Sequence, residues 1–191
     1  MKKNLATAGI AIGVLALVVL GWFMAVNNDL VSMQETTKST WAQVDNQLQR
    51  RYDLIPNLVE TVKGYAAHEK ELFDSVSKAR SQWASAKTNE EKVAASNVLE
   101  RGLGRLIAVS EAYPELKASE NFKSLQYELA GTENRIATER RRYNEAIRAY
   151  NTRVRQFPSS IVASMRGFRA SDAYFETESG AREVPKVDFN G

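Results

Sequence analysis

The most strongly patterned feature of the chain is an uncharged apolar run near its N-terminus. Residues 5–26 contain no charged side chain. A helix over this run would be roughly 33 Å long, enough to cross a hydrocarbon core of about 30 Å. The run is longer than the apolar region of a cleaved secretory signal, and Phe23 stands where a cut after Ala25 would require a small side chain. The sequence therefore predicts a permanent transmembrane signal anchor over residues 1–26, with a cleaved signal as the alternative.

Residues in and beside the run indicate how this anchor would be used. Lys2 and Lys3 precede it, and basic flanks tend to stay in the cytoplasm, so the rest of the chain is expected outside it. Trp22, near the far end, is a candidate interface anchor. Gly9 and Gly13 form a GxxxG motif, a candidate face for pairing of membrane helices, although glycine is also common in such helices generally. These features predict a single-pass protein of the bacterial inner membrane.

Apolar spacing beyond the run predicts helix almost throughout residues 27–157. Large apolar side chains recur at steps of three and four, which is the helical period. The stripes occupy residues 30–55, 58–83 and 98–113. Pro56 separates the first stripe from the second, and a turn or sharp kink is expected around residues 53–57 because proline disfavours helix before it and donates no hydrogen bond.

The fourth helical segment carries the most regular repeat. Apolar residues recur every seven positions, which is typical of a narrow seam with slight left-handed supercoiling. The repeat consists of Phe122, Leu129, Ile136, Tyr143, Tyr150 and Phe157.

Four amphipathic stripes joined by short connections predict an all-α protein. Because no stripe can be buried alone, the expected arrangement over residues 27–157 is an antiparallel up-and-down four-helix bundle. The alternative is a three-helix bundle with a long kinked first helix. Before the third stripe, Thr88 and Glu91 have the spacing of a capping box, which predicts a helix start there.

The last segment, residues 158–191, has a different character. Residues 160–168 could form one short amphipathic helix, and the remainder is acidic and contains glycine and proline without a helical stripe. Phe175, Val187 and Phe189 are isolated apolar residues in this tail. Either the tail is disordered, or it is extended and docks these side chains on the bundle or on a partner.

Composition removes most catalytic chemistry. The 191 residues include no cysteine and a single histidine, His68, which lies off the apolar stripe. Disulfides, thiolate metal sites, cysteine nucleophiles and multi-histidine sites are therefore excluded. No catalytic, metal or cofactor-binding residues are predicted, and the chain is expected not to be an enzyme. With 26 basic and 23 acidic residues, it also lacks the strong basic balance of a nucleic-acid-binding protein.

Arginines on the fourth helical segment form the one candidate ligand surface. They could bind anionic lipid headgroups or an acidic partner, or they could be solvated charges paired with nearby glutamates. The candidate anionic-ligand face consists of Arg135, Arg140, Arg141, Arg142 and Arg148.

Three long segments carry a family resemblance. WAQVDNQLQRRYDLIPNLVETVKGYAAHE (residues 41–69), YNEAIRAYNTRVRQFPSSIVASMRGF (143–168) and the terminal YFE and AREVPKVDF strings (within 174–189) resemble the LemA family. The resemblance implies a four-helix soluble bundle with bacterial membrane attachment. It implies no established activity and no catalytic residues. By family association, it also implies gene neighbourhoods with membrane metallopeptidases and other envelope proteins.

The leading hypothesis is a membrane-anchored helical scaffold or adaptor that acts through protein–protein interaction. Its expected partners are the lipid bilayer, further copies of itself, and another membrane or envelope protein, with a membrane metallopeptidase suggested only by family association. The alternative is a module that binds envelope lipids or a small ligand. No cofactor and no nucleic acid are expected.

Overall fold

A computed structural model describes residues 2–175 of the chain. Every regular element in that range is helical, so the predicted all-α class is confirmed. The helices are α1 (Lys2–Lys63), α2 (Lys70–Ser85), α3 (Asn89–Val109), α4 (Pro114–Ala118), α5 (Glu120–Arg155) and α6 (Ser159–Arg166). A single 3-10 turn, Ser110–Ala112, links α3 to the segment that leads into α4.

A turn around residues 53–57 is wrong, because α1 continues through Pro56 without interruption, whereas a sharp kink there stays a prediction. A proline inside a helix costs about 3 kcal/mol through its missing donor and its ring clash. The neighbouring Ile55 and Leu58 are fully buried, and each such side chain contributes about 1.5–3 kcal/mol. Burial of the stripe on both sides of the proline therefore outweighs the local cost, and the break comes later, at residues 64–69.

Continuity through Pro56 changes how the stripes divide among helices. The first stripe and the beginning of the second both lie on α1, whereas the rest of the second forms α2. One long first helix, as in the three-helix alternative, is thus present. The up-and-down packing order of four helices stays a prediction.

The described chain divides into two compact units, and each has its own core. The first unit contains residues 2–51 and 131–172, and the second contains residues 52–130 and 173–175. Both α1 and α5 contribute residues to each unit. The apolar stripes do not reveal this division, because they run through the boundaries at residues 51 and 130 without a change in period.

The core of the second unit is built around the α2–α3 hairpin. Gly102 on α3 lies against Val76 on α2, and a Cβ at residue 102 would be 3.4 Å from the Val76 Cγ2 atom. The absence of a side chain there allows the two helices to approach closely. The main members of the cluster are Ile55, Leu58, Val62, Leu72, Phe73, Val76, Leu99, Leu103, Leu106, Leu116, Phe122 and Leu129.

The predicted capping box at the start of α3 is confirmed. The Thr88 hydroxyl accepts a hydrogen bond from the backbone N–H of Glu91 at 3.1 Å, and the Glu91 carboxylate accepts one from the backbone N–H of Thr88 at 3.3 Å. The same carboxylate also accepts from the N–H of Lys87 at 2.6 Å. These bonds pair donors that a helix end would otherwise leave without partners, and so fix where α3 begins.

In the first unit, α5 runs antiparallel to α1. The heptad positions from Ile136 to Tyr150 are buried, whereas Phe157 is exposed because α5 ends at Arg155. Three contacts set the register: Arg51 with Glu133, Trp41 with Tyr143, and Asp29 with Arg153.

Candidate functional site

Between residues 9 and 20, α1 is apolar and exposed. Large aliphatic side chains from Ile10 to Leu20 are at least half exposed. A helix that is apolar on all sides is typical of a segment surrounded by lipid rather than by water. By length and composition α1 can cross a membrane, and it fits a single-pass membrane anchor.

Two predicted features of the anchor are found on open helix surface. A Cβ placed on Gly9 or Gly13 would meet no atom within 4 Å, so this face is accessible to a second helix. Gly21 is equally open. Trp22 is 39% exposed and lies four residues before the end of the uncharged run. Pairing through the glycines and interface anchoring through Trp22 stay predictions.

At Val26, the last residue of the uncharged run, α1 becomes buried by the end of α5 and by α6. We call this group the membrane-proximal cluster, and it consists of Val26, Leu30, Tyr150, Val154, Val162 and Ala163. Polar contacts surround it. The Arg166 Nε atom donates to the Asn27 Oδ1 atom at 2.9 Å, and the Arg153 Nε atom lies 2.8 Å from the Asp29 Oδ2 atom. The point where the anchor enters the folded part is therefore held by both apolar and polar contacts.

A glycine ends α6 and returns the chain to this cluster. Gly167 has a φ of 76°, which is the left-handed conformation that favours glycine. The N–H of Phe168 donates to the carbonyl of Ala163 at 2.9 Å, and the N–H of Gly167 donates to the carbonyl of Ser164 at 3.3 Å. This pair of bonds is a Schellman motif, and it directs Phe168 back to pack on the membrane-proximal cluster.

Asn151 ties the segment after α6 to α5. Its side-chain Nδ2 donates to the carbonyl of Ser171 at 2.7 Å, and its Oδ1 accepts from the N–H of Ser171 at 3.0 Å. Asn151 is only 4% exposed, so these two bonds are shielded from water. The sequence carries no signal for this contact, because the partner of Asn151 lies 20 residues away in a segment without periodicity.

Tyr150 is the titratable group of the cluster. Burial raises the pKa of its phenol above the usual value of 10.0. A hydrogen bond from the Arg169 backbone and the charge of Lys38 partly offset that rise in pKa. The protonated form is therefore the one that the packing of α5 against α1 and α6 favours.

The candidate docking residues of the tail are only partly described. Phe175 is 7% exposed and the nearby Ala173 is also buried, although both lie beyond the last helix in chain without regular secondary structure. Val187 and Phe189 lie outside the described residues. Docking of the tail stays a prediction.

The candidate arginines do not share one face of α5. Residues seven apart lie close together around a helix, so Arg135 shares one side with Arg142, and Arg141 shares another with Arg148. Arg140 lies on a third side. A ligand that needed all five side chains at once would have to surround the helix, so any site there is smaller than the predicted set.

Two of these arginines have local partners, and one lines a groove. The Arg135 Nε atom donates to the Gly131 carbonyl at 3.2 Å, and Arg142 pairs with the Glu139 carboxylate at 2.8 Å. Arg148 borders an open groove of about 330 Å³ in the first unit. The groove is lined by Met33, Glu145, Arg148, Ala149, Thr152, Arg153 and Gln156.

Catalytic groupings were also sought. Within residues 2–175, no three or more His, Cys, Asp or Glu side chains are placed to hold a metal ion. His68 is exposed in the connection between α1 and α2. That the chain is not an enzyme stays a prediction.

A family model and a curated relative both identify the same protein family. The model of the LemA family matches residues 40–189. Magnetosome protein MamQ 2 of Paramagnetospirillum magneticum is 28% identical over 179 residues, which cover 80% of this chain and 66% of that protein. Magnetosome protein MamQ of Magnetospirillum gryphiswaldense is 26% identical, with 90% of this chain and 73% of that protein covered. Protein LemA of Metamycoplasma hominis is 23% identical, with 88% and 75% covered. The chain thus spans slightly less than two thirds of MamQ 2.

Proposed function

The chain belongs to the LemA family, and on that premise we propose that it is a membrane-anchored helical scaffold that acts through protein–protein interaction and self-association in the bacterial envelope. One observation carries the proposal: α1 contains both the exposed apolar run and buried positions of both cores, such as Leu30 and Val62. A protein that bound either unit would therefore be tethered directly to the bilayer.

The proposal includes a location and a class of partner. The chain would lie in the inner membrane with its N-terminus in the cytoplasm, because Lys2 and Lys3 flank the run and no basic residue follows it until Lys38. The helical part would then be extracytoplasmic, in an up-and-down bundle with the tail docked through Phe175. Its partner would be another membrane or envelope protein, for which family association suggests a membrane metallopeptidase.

Self-association through the anchor can be tested on the full chain in proteoliposomes. Because the sequence has no cysteine, Asn89→Cys offers a single site for donor or acceptor dyes. The double variant Gly9→Ile and Gly13→Ile keeps the helix apolar but fills the open face, so energy transfer between copies should fall to the level expected for random mixing. The control is Gly21→Ile, which adds one isoleucine side chain to another open glycine of the run, on a different side, and should retain the transfer.

Two results would contradict self-association through this face. The first is energy transfer no greater than random mixing in the unmodified chain. The second is an equal loss in the double variant and in Gly21→Ile, which would indicate a general effect of bulk rather than a specific pairing face.

The groove beside Arg148 favours a second candidate function, the binding of an anionic envelope lipid. Arg148 and Arg153 line it, and Met33 offers an apolar contact. Native mass spectrometry of the detergent-solubilised chain with added anionic phospholipid would test it. Retained lipid should fall in Arg148→Gln and with added salt, while Arg135→Gln, on another side of α5, should bind as before. Equal binding by both variants would contradict this function.

A further inference from the structure

The short helix α6 has apolar side chains on two opposite sides. Val162 and Ala163 are fully buried in the membrane-proximal cluster. On the other side, Phe157, Ile161 and Met165 are 77%, 50% and 71% exposed. Ile161 and Met165 are four residues apart and so lie on one side of α6, and Phe157 precedes them in the turn between α5 and α6. We call these three residues the α6 patch. An exposed group of three large apolar residues is unlike the scattered ones on ordinary protein surfaces.

The register between α5 and α1 places the α6 patch at the end of the uncharged run. As residue numbers rise along α5, the contacted residue numbers on α1 fall by a similar amount. The pairs that show this are Glu133 with Arg51, Tyr143 with Trp41 and Arg153 with Asp29. At the last residue of α5, Arg155, this register corresponds to residues 27–29 of α1. Val26 is the last residue of the run, so the chain reversal after α5 occurs where a spanning α1 would leave the hydrocarbon.

A second contact supports this level independently of the register. The Arg166 Nε atom donates to the Asn27 Oδ1 atom at 2.9 Å, which places the C-terminal end of α6 beside the first polar residue after the run. Both ends of α6 are therefore at the boundary between the apolar and polar parts of α1.

The charges around the α6 patch suit the surface of a bilayer. Arg155, Arg166 and Arg169 are exposed, and Arg155 keeps a contact of 3.3 Å with the Asp172 carboxylate. Long cationic side chains beside an apolar helix face can extend to lipid phosphates while their stems lie along the acyl boundary. An apolar face bordered by arginines is the composition expected of a helix that lies in a membrane interface.

We propose that α6 is a second membrane contact of this protein, in which the α6 patch enters the lipid interface next to the anchor. The occupant of this surface is the bilayer itself, with its phosphates near the three arginines. Because α6 also packs on Val26 and Leu30, its insertion would hold α5 and α1 at a fixed depth and restrict rotation about the anchor. The proposal depends on α1 crossing the membrane, but not on the scaffold role.

The test measures the depth of a fluorophore on the full chain in proteoliposomes. An environment-sensitive dye is attached through Ile161→Cys, and in a second variant through Met165→Cys, since both side chains are exposed and outside the core. The aqueous control is Ala137→Cys, an exposed position on α5 in the same unit and several helical turns from the boundary. Val18→Cys, within the run, is the lipid control.

Nitroxide-labelled lipid and aqueous iodide serve as opposing quenchers. At residues 161 and 165 we expect blue-shifted emission, with lipid quenching several-fold stronger and iodide quenching several-fold weaker than at residue 137. If the dyes at residues 161 and 165 are quenched to the same extent as the dye at residue 137, while the dye at residue 18 is quenched by lipid, α6 does not enter the interface. The membrane anchor would still be supported in that case. Shielding from iodide without lipid quenching would mean that a second copy covers the α6 patch, and the proposal would be wrong. If residue 18 is not quenched by lipid, both the anchor and this proposal fail.

Discussion

Replacing Asn151 by alanine should release the segment after α6 from α5. The side chain makes two hydrogen bonds to the backbone of Ser171, at 2.7 and 3.0 Å, and Asn151 itself is only 4% exposed. Each neutral hydrogen bond contributes about 0.5–1.5 kcal/mol net, so their joint loss should lower the free energy of unfolding by about 1–3 kcal/mol. The upper part of that range applies if the N–H and C=O of Ser171 stay buried.

The assay combines thermal unfolding of the full chain in mild detergent with limited trypsin digestion. Released chain should be cleaved faster at Arg166, within the Schellman motif, and at Arg169, directly after it. Asn134→Ala is the matched control, because it removes the same side chain from an exposed position of α5 and should change stability by less than about 0.5 kcal/mol. The reasoning is refuted if Asn151→Ala unfolds and is cleaved like Asn134→Ala.

Three further predictions concern single residues. Gly167→Ala places a Cβ at a φ of 76° and should destabilise the chain by about 1–2 kcal/mol in thermal unfolding; unchanged stability would mean that the left-handed cap is not required. Thr88→Ala removes the cap of α3 and should cost about 0.5–2 kcal/mol, with faster digestion near Lys87 as the readout and no change as the contrary result. Because burial raises the pKa of Tyr150, the folded state holds that proton more tightly, so stability is complete below pH 10.0 and falls as the pH rises through the folded pKa. Tyr150→Phe should lose less stability between neutral and strongly alkaline pH than the unmodified chain, and parallel losses would contradict this cause.

Sequence reasoning worked best where one periodicity governs a long segment. The heptad positions from Phe122 to Tyr150 are all buried, and the box of Thr88 and Glu91 starts α3 as predicted. In both cases the physical cause is local in sequence. The match over residues 40–189 likewise confirms the predicted family.

Reasoning from local propensity was wrong where burial competes with it. A turn or sharp kink was expected at Pro56, and the turn is absent because the buried side chains on either side keep α1 continuous. Phe157 continues the heptad by spacing, yet it is exposed because the helix ends two residues earlier. A period can therefore be followed beyond the element that created it.

The contacts around α6 could be predicted only in part. Gly167, just after a short amphipathic stretch, is a signal for a left-handed helix end that could have been used. No comparable signal pairs Asn151 with Ser171, because a polar residue beside a heptad does not specify its distant partner. The α6 patch likewise depends on the register between α1 and α5, which only the tertiary contacts reveal.

The central claim is that α1 holds the helical part outside the cytoplasm on a permanent anchor. The most direct measurement labels Asn89→Cys in intact cells with a membrane-impermeant maleimide, beside Asn4→Cys, which precedes the uncharged run, as the position on the cytoplasmic side. The account predicts that residue 89 is labelled without permeabilisation, that residue 4 is labelled only after it, and that the labelled chain stays with the membrane fraction. Labelling of residue 89 only after permeabilisation, or recovery of the labelled chain in the soluble fraction, would contradict the account.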